Sequence, residues 1–451
     1  MVFERIENLI KSENAKNGLK WISLAILIGL IIGLIAIIFE IILIFLIGWT
    51  NSLSIWIIIF LPIIGLLMSG LITSVLAPEA RGHGTDAIIH AYHHNWGLVQ
   101  PRVIGAKLSA SIATLGFGGS AGRSGPTFQM GGGVSSLIGK NLKFSLKARK
   151  ILVLCGMSAS FGAIFAAPLS GAVFACEVVF RDDFEYTDIL PCVISSVVGY
   201  LTYQGIFSVF FGHIEQLIQI PNIDYTFIWP HISIFIGLGL ICGLIGLLYV
   251  KSFYFIDRKV EAWNKPEWFK TLLGGIVVSF LALLFIIFAL NFTGDISNTT
   301  LILGLGWNLI NILGNNPLFF SLQFLILLLI FKILTTCFTI GSGGSGGVVA
   351  PSLVIGGVIG GIIAILLSPI LSFDLRVIIG VSTIVMFMSI AHIPITGMLM
   401  AGEIYGIPFI IPTLLAGVIG SWVATGDSIY HSSLISKTET LTIYKKYKVI
   451  T

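Results

Sequence analysis

The sequence has very few charged residues. Only 10% of its 451 residues are Asp, Glu, Lys or Arg, whereas 56% are hydrophobic. A soluble globular protein carries about 25% charged residues, so this composition excludes a soluble fold and indicates an integral membrane protein. The apolar runs also lack the polar–apolar alternation of a membrane β-barrel strand. The predicted class is therefore a polytopic, all-α membrane protein.

Paired cysteines and a strong net charge are also missing. The five cysteines lie in apolar segments without CxxC spacing, which favours buried free thiols over a disulfide framework or a metal site. The net charge is only +4 and the basic residues are scattered, so nothing indicates a nucleic-acid partner. No side chains have a catalytic spacing that fits a membrane setting. We therefore expect neither an enzyme nor a bound organic cofactor.

Long apolar runs predict the membrane crossings. Roughly 20 apolar residues span a bilayer, and the runs in this chain predict about ten spanning or partly inserted segments within residues 21–433. The first run, Trp21–Ile47, is too long for the core of a signal peptide and predicts a retained helix. Lysines near both ends favour the cytoplasm. We therefore expect residues 1–20 and 434–451 to be cytoplasmic segments flanking one plasma-membrane domain.

The chain repeats one unit twice. The segment RSGPTFQMGGG around Pro126 matches VVAPSLVIGGV around Pro351, and in both segments two glycines follow the proline by five and six residues. Further along, APLSGAVFACE and IPITGMLMAGE each place a glycine three residues and a glutamate nine residues after Pro168 and Pro394. Transport proteins built from such repeats bind their substrate where broken helices of both halves meet.

A glycine-rich loop precedes the first matched proline in each half. Gly116–Gly125 and Gly341–Gly347 hold too much glycine to remain helical, and each leads to a proline that suits a first helical turn. The half-repeats are expected at about residues 75–215 and 300–433. We therefore expect each half-repeat to contain one helix N-terminus inside the membrane. Such ends offer unpaired N–H groups and a positive dipole, which suit an anion passage. The alternative is that the glycines serve close helix packing.

Three motifs resemble those of the CLC family of chloride channels and proton–chloride exchangers. They are ARGHGTDAIIHA from Ala80, GSAGRSGPTFQMG from Gly119 and GSGGSGGVVAP from Gly341. The resemblance implies two inverted half-repeats whose broken helices meet at a midplane anion site. It also implies a homodimer in the bilayer with one anion pathway per subunit. The expected partners are chloride or other small anions, and the only expected bound groups are chloride ions.

The family's GSGIP motif aligns with Gly82–Asp86. His83 then replaces a serine that often coordinates the anion, Gly84 is retained, and Asp86 replaces the proline. Two roles are open for His83. Its protonation could attract anions from the cytoplasmic side, or a neutral ring could hydrogen-bond the surrounding loop.

The central anion site is expected at two further segments. Val348 and Val349 align with residues whose backbone N–H groups hold the anion, and Val349 replaces a phenylalanine. Tyr430, in DSIYHSSL, aligns with a tyrosine whose hydroxyl donates to the same ion. The resemblance thus implies an anion-binding set of His83, Gly84, Ser124, Gly125, Val348, Val349 and Tyr430.

Ser124 stands at the gate position of the family. The second family motif normally contains GREGP, and its glutamate is both the external gate and a proton carrier. Here Ser124 lies between Arg123 and Gly125, and a neutral hydroxyl neither competes with chloride as a carboxylate does nor carries a proton near neutral pH. The inner glutamate of exchangers aligns with Val178, beside Glu177. Both proton-handling carboxylates are therefore missing from their usual positions.

Three acids lie well inside apolar runs: Glu40, Glu177 and Glu403. Intramembrane acids are functional candidates by default. The repeat pairs Glu177 with Glu403, which favours a structural role in capping loop amides. A proton-carrying role for Glu177 is the alternative.

The predicted function is passive, chloride-selective conduction. One alternative is a proton-coupled exchanger of chloride or fluoride that uses other groups such as Glu177, and another is a transport-dead structural or regulatory membrane protein. His90, His93 and His94 have the i, i+3, i+4 spacing of a partial metal site. An interfacial loop rich in histidine and aromatic residues is the favoured interpretation, and no metal is expected.

Overall fold

The computed structural model describes residues 13–181, 183–184, 188–213, 225–369, 373–436 and 439. The prediction that residues 1–20 and 434–451 are cytoplasmic rests in part on residues 1–12 and 440–451, which lie outside the described residues, whereas residues 13–20 belong to the first long helix. Within the described part, the helices of nine residues or more are α1 (Glu13–Asn51), α2 (Leu61–Leu76), α3 (Gly84–His94), α4 (Arg102–Gly116), α5 (Ser124–Asn141), α6 (Leu146–Phe165), α7 (Pro168–Glu177), α8 (Ile189–Phe211), α9 (Ile232–Glu261), α10 (Glu267–Thr293), α11 (Trp307–Asn315), α12 (Leu322–Gly341), α13 (Val349–Leu367), α14 (Arg376–Ala391), α15 (Pro394–Tyr405) and α16 (Ile410–Val423).

The all-α membrane class is confirmed. In the described residues, eight helical stretches are long and apolar enough to cross a membrane. The short helix Ile296–Ile302 and α11 form a ninth candidate, bent by 114°, and α14 and α16 are shorter apolar helices. This agrees with the predicted mixture of about ten spanning and partly inserted segments.

The two halves of the fold have the same order of helices. α5 and α13 both begin two residues before the first matched proline, and α7 and α15 both begin at the second matched proline. Counting outward from these landmarks, α1–α8 correspond to α9–α16. The correspondence extends the repeat upstream of the motifs from which it was predicted.

Two long apolar runs of the sequence are broken inside the fold. The runs Ile151–Val179 and Val377–Ile411 each change direction two residues before a matched proline, at Ala166 (φ 52°) and His392 (φ 55°). A proline disfavours the helical conformation of the residue before it, so the first helix ends ahead of the proline and a new helix starts at the proline. Each run therefore supplies an additional helix N-terminus within the membrane domain.

Contacts between the halves occur in reciprocal pairs. The Gly122 N–H donates to the Gly347 carbonyl at 2.7 Å, and the Gly347 N–H donates to the Gly122 carbonyl at 2.6 Å. Both glycines lie four residues before a matched proline. Two buried hydroxyl pairs, each separated by 2.9 Å, repeat the same relation: Ser120 with Thr336, and Ser111 with Ser345. These pairs define a two-fold axis between the halves.

Candidate anion-binding site

Three helix N-termini meet beside this axis. A Cβ added to Gly84, the first residue of α3, would lie 2.8 Å from the Gly125 carbonyl oxygen in α5. One added to Gly125 would lie 2.9 Å from the Cα of Gly347, which directly precedes the N-cap of α13. Only glycine permits this approach, so α3, α5 and α13 begin at one junction. The loops predicted to carry helix N-termini are therefore in contact.

These three N-termini have no side-chain caps. The N-cap residues His83, Arg123 and Val348 make no capping hydrogen bond, whereas Ser145 and Ser321 cap α6 and α12. The first N–H groups of a helix have no partner within that helix, and they carry the positive end of its dipole. The junction therefore offers several backbone donors to an anion.

Three buried hydroxyl groups lie at the same junction. The hydroxyls of Thr85, Ser124 and Tyr430 make no hydrogen bond of normal geometry within the described part of the chain. The Tyr430 hydroxyl is next to Thr85, whose Oγ1 is 3.5 Å from the Cβ position of Gly125. A buried polar group left unsatisfied costs about 1–3 kcal/mol. An anion that accepts from these hydroxyls would offset that cost.

His83 lies against the aromatic side of the junction. Its ring centroid is 6.0 Å from that of Tyr430 and 5.6 Å from that of Phe253, and its Nδ1 is buried without a partner in the described residues. Burial lowers the pKa of His83 to about 4; the charge of Asp86 opposes this shift, and the charge of Lys107 adds to it. This favours the neutral ring among the two roles considered for His83.

Asp86 has a role that the sequence did not predict. Its carboxylate accepts hydrogen bonds from the Ser432 N–H at 2.8 Å and from the Ser432 hydroxyl at 2.9 Å. Ser432 lies two residues after Tyr430, so this contact anchors the Tyr430 segment to the first turn of α3. The substitution of the family's proline by aspartate was the signal, but the sequence did not identify a partner 346 residues away.

The predicted residues occupy one region of the fold. Val348 and Val349 are fully buried at the start of α13, which places their backbone N–H groups beside Gly125 through Gly347. Val349 and Ser124 are equivalent in the repeat, because each lies two residues before a matched proline. The junction therefore brings together His83, Gly84, Ser124, Gly125, Val348, Val349 and Tyr430.

Arg123 is buried inside the membrane domain. Its side chain is 2% exposed and forms an ion pair with Glu40 of α1, which is 5% exposed. The pair neutralises both charges within the membrane domain. Arg123 therefore holds α5 against α1, and the backbone and hydroxyl donors are left to face an anion.

Glu177 and Glu403 each cap a short helix in the opposite half of the fold. The Glu177 carboxylate accepts from the N–H groups of Ile395 (2.9 Å) and Thr396 (2.8 Å) and from the Thr396 hydroxyl (2.6 Å). The Glu403 carboxylate accepts from the N–H groups of Leu169 (2.8 Å) and Ser170 (2.9 Å) and from the Ser170 hydroxyl. Each glutamate thus occupies the N-terminus of the equivalent short helix, α15 or α7. Val178, which the family resemblance aligns with the inner glutamate of exchangers, is buried.

Two buried lysines were not predicted from the sequence. Lys107 donates to the carbonyls of Ala80 and Gly82 at 3.0 and 2.6 Å, in the loop that leads to α3. Lys332 donates to three carbonyls in the equivalent loop before α11. Each lysine lies 19 residues before the first matched proline of its half, a repeat landmark that would have identified the pair. Neither has an acidic partner among the described residues.

The histidine cluster on α3 makes separate contacts. The Nε2 of His93 is 2.8 Å from the Val179 carbonyl oxygen, and the ring is buried. The rings of His90 and His94 stack at 4.5 Å. These contacts belong to packing and to the surface of α3, away from the helix N-termini.

Comparison with known proteins finds a matching family model and similar membrane proteins. A family model described as voltage gated chloride channel matches residues 65–425. The chain is 32% identical over 415 residues to an uncharacterized protein of Methanocaldococcus jannaschii, covering 91% of this chain and 95% of that protein. It is 25% identical over 417 residues to a chloride/fluoride channel protein of Pseudomonas syringae pv. tomato, covering 92% and 86%.

Similar proteins also include exchangers. The chain is 26% identical over 459 residues to an H(+)/Cl(-) exchange transporter of Vibrio campbellii, covering 96% of this chain and 93% of that protein. Among solved structures, a CLC-type fluoride/proton antiporter aligns with a TM-score of 0.80 at 22% identity, covering 94% of this chain and all of that one. A slow cyanobacterial Cl-/H+ antiporter aligns with a TM-score of 0.76 at 22% identity, covering 95% and 98%.

Proposed function

This chain belongs to the voltage-gated chloride channel (CLC) family of membrane anion transporters, and on that premise we propose that it conducts chloride passively, without coupling to protons. The observation that carries the proposal is Ser124. The gate position of the family holds a buried hydroxyl at the start of α5, where it can donate to an anion. It holds no carboxylate that could occupy the anion site or carry a proton.

The inner half of a proton route is also lacking. Val178 stands at the position of the inner glutamate and is 1% exposed. Its neighbour Glu177 has its carboxylate committed to the N–H groups of Ile395 and Thr396. Protonating Glu177 would remove the charge that holds these amides at the start of α15. A cap of this kind is a poor site for repeated proton exchange.

The proposed ligand set combines backbone and hydroxyl donors. The N–H groups at the starts of α5 and α13 surround the anion, Tyr430 and Ser124 donate hydroxyls to it, and neutral His83 lines the side toward Phe253. Backbone and hydroxyl donors hold chloride weakly enough for it to leave, which conduction requires. The protein is proposed to act as a plasma-membrane homodimer with both termini cytoplasmic.

Fluoride is the competing substrate. A chloride/fluoride channel protein and a CLC-type fluoride/proton antiporter are both among the similar proteins. The proposed site favours chloride because fluoride, the smaller and more strongly hydrated halide, loses more hydration free energy on entering a buried site. Flux measured for both halides in the same vesicles decides between them.

The reversal potential under opposed chloride and proton gradients tests the proposal. Purified protein in planar bilayers is given a tenfold chloride gradient, and the pH of one side is then changed by two units. For uncoupled conduction the reversal potential stays near the chloride value of about 59 mV at every pH. A reversal potential that shifts with the proton gradient at fixed chloride would contradict the proposal and would make Glu177 the candidate proton carrier. The absence of any anion current would favour a structural or regulatory protein.

A further inference from the structure

The loop between α5 and α6 concentrates positive charge. Residues 140–150, with the sequence KNLKFSLKARK, contain five cations and neither Asp nor Glu, although only 10% of the whole chain is charged. The side chains of Lys140, Lys143 and Lys147 are exposed, and those of Arg149 and Lys150 are half-buried. This loop therefore presents a positive surface at the turn between the two helices.

Two further elements meet this loop. The Nζ of Lys20, near the start of α1, lies 4.5 Å from the centroid of the Phe144 ring, and the ring centroid of Trp21 lies 6.3 Å from that of Phe144. In addition, the Nζ of Lys150 lies 3.8 Å from the centroid of the Tyr92 ring in α3. Six cations thus gather at this loop, and together they are called the basic patch: Lys20, Lys140, Lys143, Lys147, Arg149 and Lys150.

Most of the charges in the basic patch have no carboxylate partner. Among the described side chains, no Asp or Glu forms an ion pair with Lys20, Lys140, Lys143, Lys147 or Arg149. Carboxylates do pair with cations elsewhere in the chain, namely Arg81, Arg102, Lys251, Lys270 and Arg376. The basic patch therefore keeps a net positive charge that can attract an anionic partner.

An exposed leucine directly precedes three of these lysines. The neighbouring pairs are Leu19–Lys20, Leu142–Lys143 and Leu146–Lys147, and their leucines are 60, 57 and 44% exposed. α1 and α6, which begin at or near these pairs, are long and apolar enough to cross a membrane. The pairs therefore lie where these helices leave the bilayer. In such a position lysine ammonium groups reach the headgroups, and leucines insert among the acyl chains.

A phospholipid fits both components of this surface. Clusters of about four to eight Lys and Arg beside a membrane helix attract anionic headgroups, and each lipid also supplies acyl chains that can cover an exposed leucine. A soluble polyanion such as a nucleic acid would meet the lysines but would leave the three leucines in water. The observations therefore favour an anionic lipid of the surrounding bilayer as the partner.

We propose that the basic patch binds the phosphate of an anionic phospholipid. α5 connects this site to the anion junction, because it begins at Ser124 and ends at Asn141, inside the basic loop. Its 18 residues extend over about 27 Å, so the bound lipid contacts the far end of the helix whose N-terminus faces the anion. The proposal goes beyond anion conduction and does not depend on it.

Native mass spectrometry of the full-length protein tests the binding. The protein in detergent is mixed with equal amounts of phosphatidylglycerol and phosphatidylcholine of identical acyl chains, and the lipids that stay bound are counted. We expect the parent protein to retain phosphatidylglycerol preferentially. One lysine near an anionic membrane surface changes binding about fivefold. We therefore expect Lys140→Gln/Lys143→Gln/Lys147→Gln to lower the ratio of bound phosphatidylglycerol to phosphatidylcholine by about tenfold or more.

Two matched variants control for net charge and for folding. Lys251→Gln/Lys259→Gln/Lys265→Gln removes three exposed lysines near Asp257 and Glu261, at and after the end of α9, and should leave the ratio unchanged. Replacing the three patch lysines by arginine keeps their charges and should also retain the parent ratio. An unchanged ratio in the glutamine variant of the patch would overturn the proposal, as would an equal fall in the two glutamine variants.

A fluorescent label in the loop locates the lipid in a bilayer. Asn141→Cys carries a bimane fluorophore in phosphatidylcholine vesicles that contain a small fraction of phosphatidylglycerol or phosphatidylcholine with a nitroxide near the top of one acyl chain. The nitroxide quenches nearby fluorophores, and we expect the phosphatidylglycerol probe to quench more strongly. Asn264→Cys, at an exposed position between α9 and α10, should be quenched equally by both probes. The five native cysteines are buried, so the parent protein gives the labelling background.

Salt provides the last arm of this test. Raising the ionic strength from about 0.1 to 1 M shortens the screening length from about 10 to 3 Å and should remove the difference between the two probes at Asn141→Cys. Equal quenching of Asn141→Cys by both probes at low salt would overturn the proposal. Neither measurement involves chloride flux, so the lipid site and the proposed conduction mechanism fail on different results.

Discussion

The reciprocal caps make a quantitative prediction about Glu177 and Glu403. Replacing either residue by alanine leaves two backbone N–H groups at a helix start without their acceptor. At about 1–3 kcal/mol for each unsatisfied buried donor, the expected loss of unfolding free energy is about 2–6 kcal/mol. Glu177 is 5% exposed, whereas Glu403 is only partly buried. We therefore expect Glu177→Ala near the top of this range and Glu403→Ala near its bottom.

The glutamine variants separate a cap from a proton carrier. Glutamine retains one carbonyl acceptor, so Glu177→Gln and Glu403→Gln should each lose about half as much stability as the alanine variants. If both glutamates are caps, neither variant changes the dependence of the reversal potential on pH. If Glu177 carries protons, Glu177→Gln abolishes a coupling that Glu403→Gln retains.

Thermal unfolding in detergent, followed by size-exclusion chromatography, measures the stability of the four variants, and planar-bilayer recordings measure the coupling. The reasoning is refuted if Glu177→Ala is as stable as the parent protein, or if it is destabilised less than Glu403→Ala. Either result would mean that the carboxylate of Glu177 is not needed where α15 begins.

Three further predictions concern the anion junction. Ser124→Glu should introduce a pH-dependent gate that slows chloride flux at high pH, where the carboxylate is charged; flux that stays independent of pH would argue against Ser124 as the gate position. Tyr430→Phe should weaken chloride binding by about 0.5–1.5 kcal/mol, the value of one hydrogen bond, while transport persists; an unchanged affinity in calorimetry would exclude Tyr430 as a ligand. Because burial lowers the pKa of His83 to about 4, the ring is neutral from pH 8 to 5.5, so anion uptake should be flat over this interval in the parent and in His83→Ser; a rise toward pH 5.5 that disappears in His83→Ser would show that the ring titrates there.

The sequence predicts features of this fold that depend on neighbouring residues. Glycine-rich stretches followed by proline are local signals, and they predicted helix starts near Pro126 and Pro351; in the structure these helices begin two residues earlier, at Ser124 and Val349. The matched prolines gave the repeat, and the repeat paired Glu177 with Glu403 before any contact was known. These inferences needed only the conformational limits of glycine and proline.

Features that depend on distant contacts could not be predicted in the same way. The sequence contains no sign that Glu40 neutralises Arg123, because any acid on an apolar helix has the same local pattern. The contact by which Asp86 anchors the Tyr430 segment joins residues that are 346 positions apart in the sequence. Lys107 could have been identified from the sequence, since its distance from Pro126 is repeated in the second half. The sequence alone does not show that the fold buries its charge.

The caps that cross between the halves also constrain how the protein is made. The first two amides of α7 find their acceptor in Glu403, which is 234 positions later than Leu169 in the chain. At about 5–20 residues per second of synthesis, roughly 10–50 seconds pass between the synthesis of these amides and that of their acceptor. The short helix α7 therefore gains its N-terminal cap only after synthesis has passed Glu403, near the end of the second half.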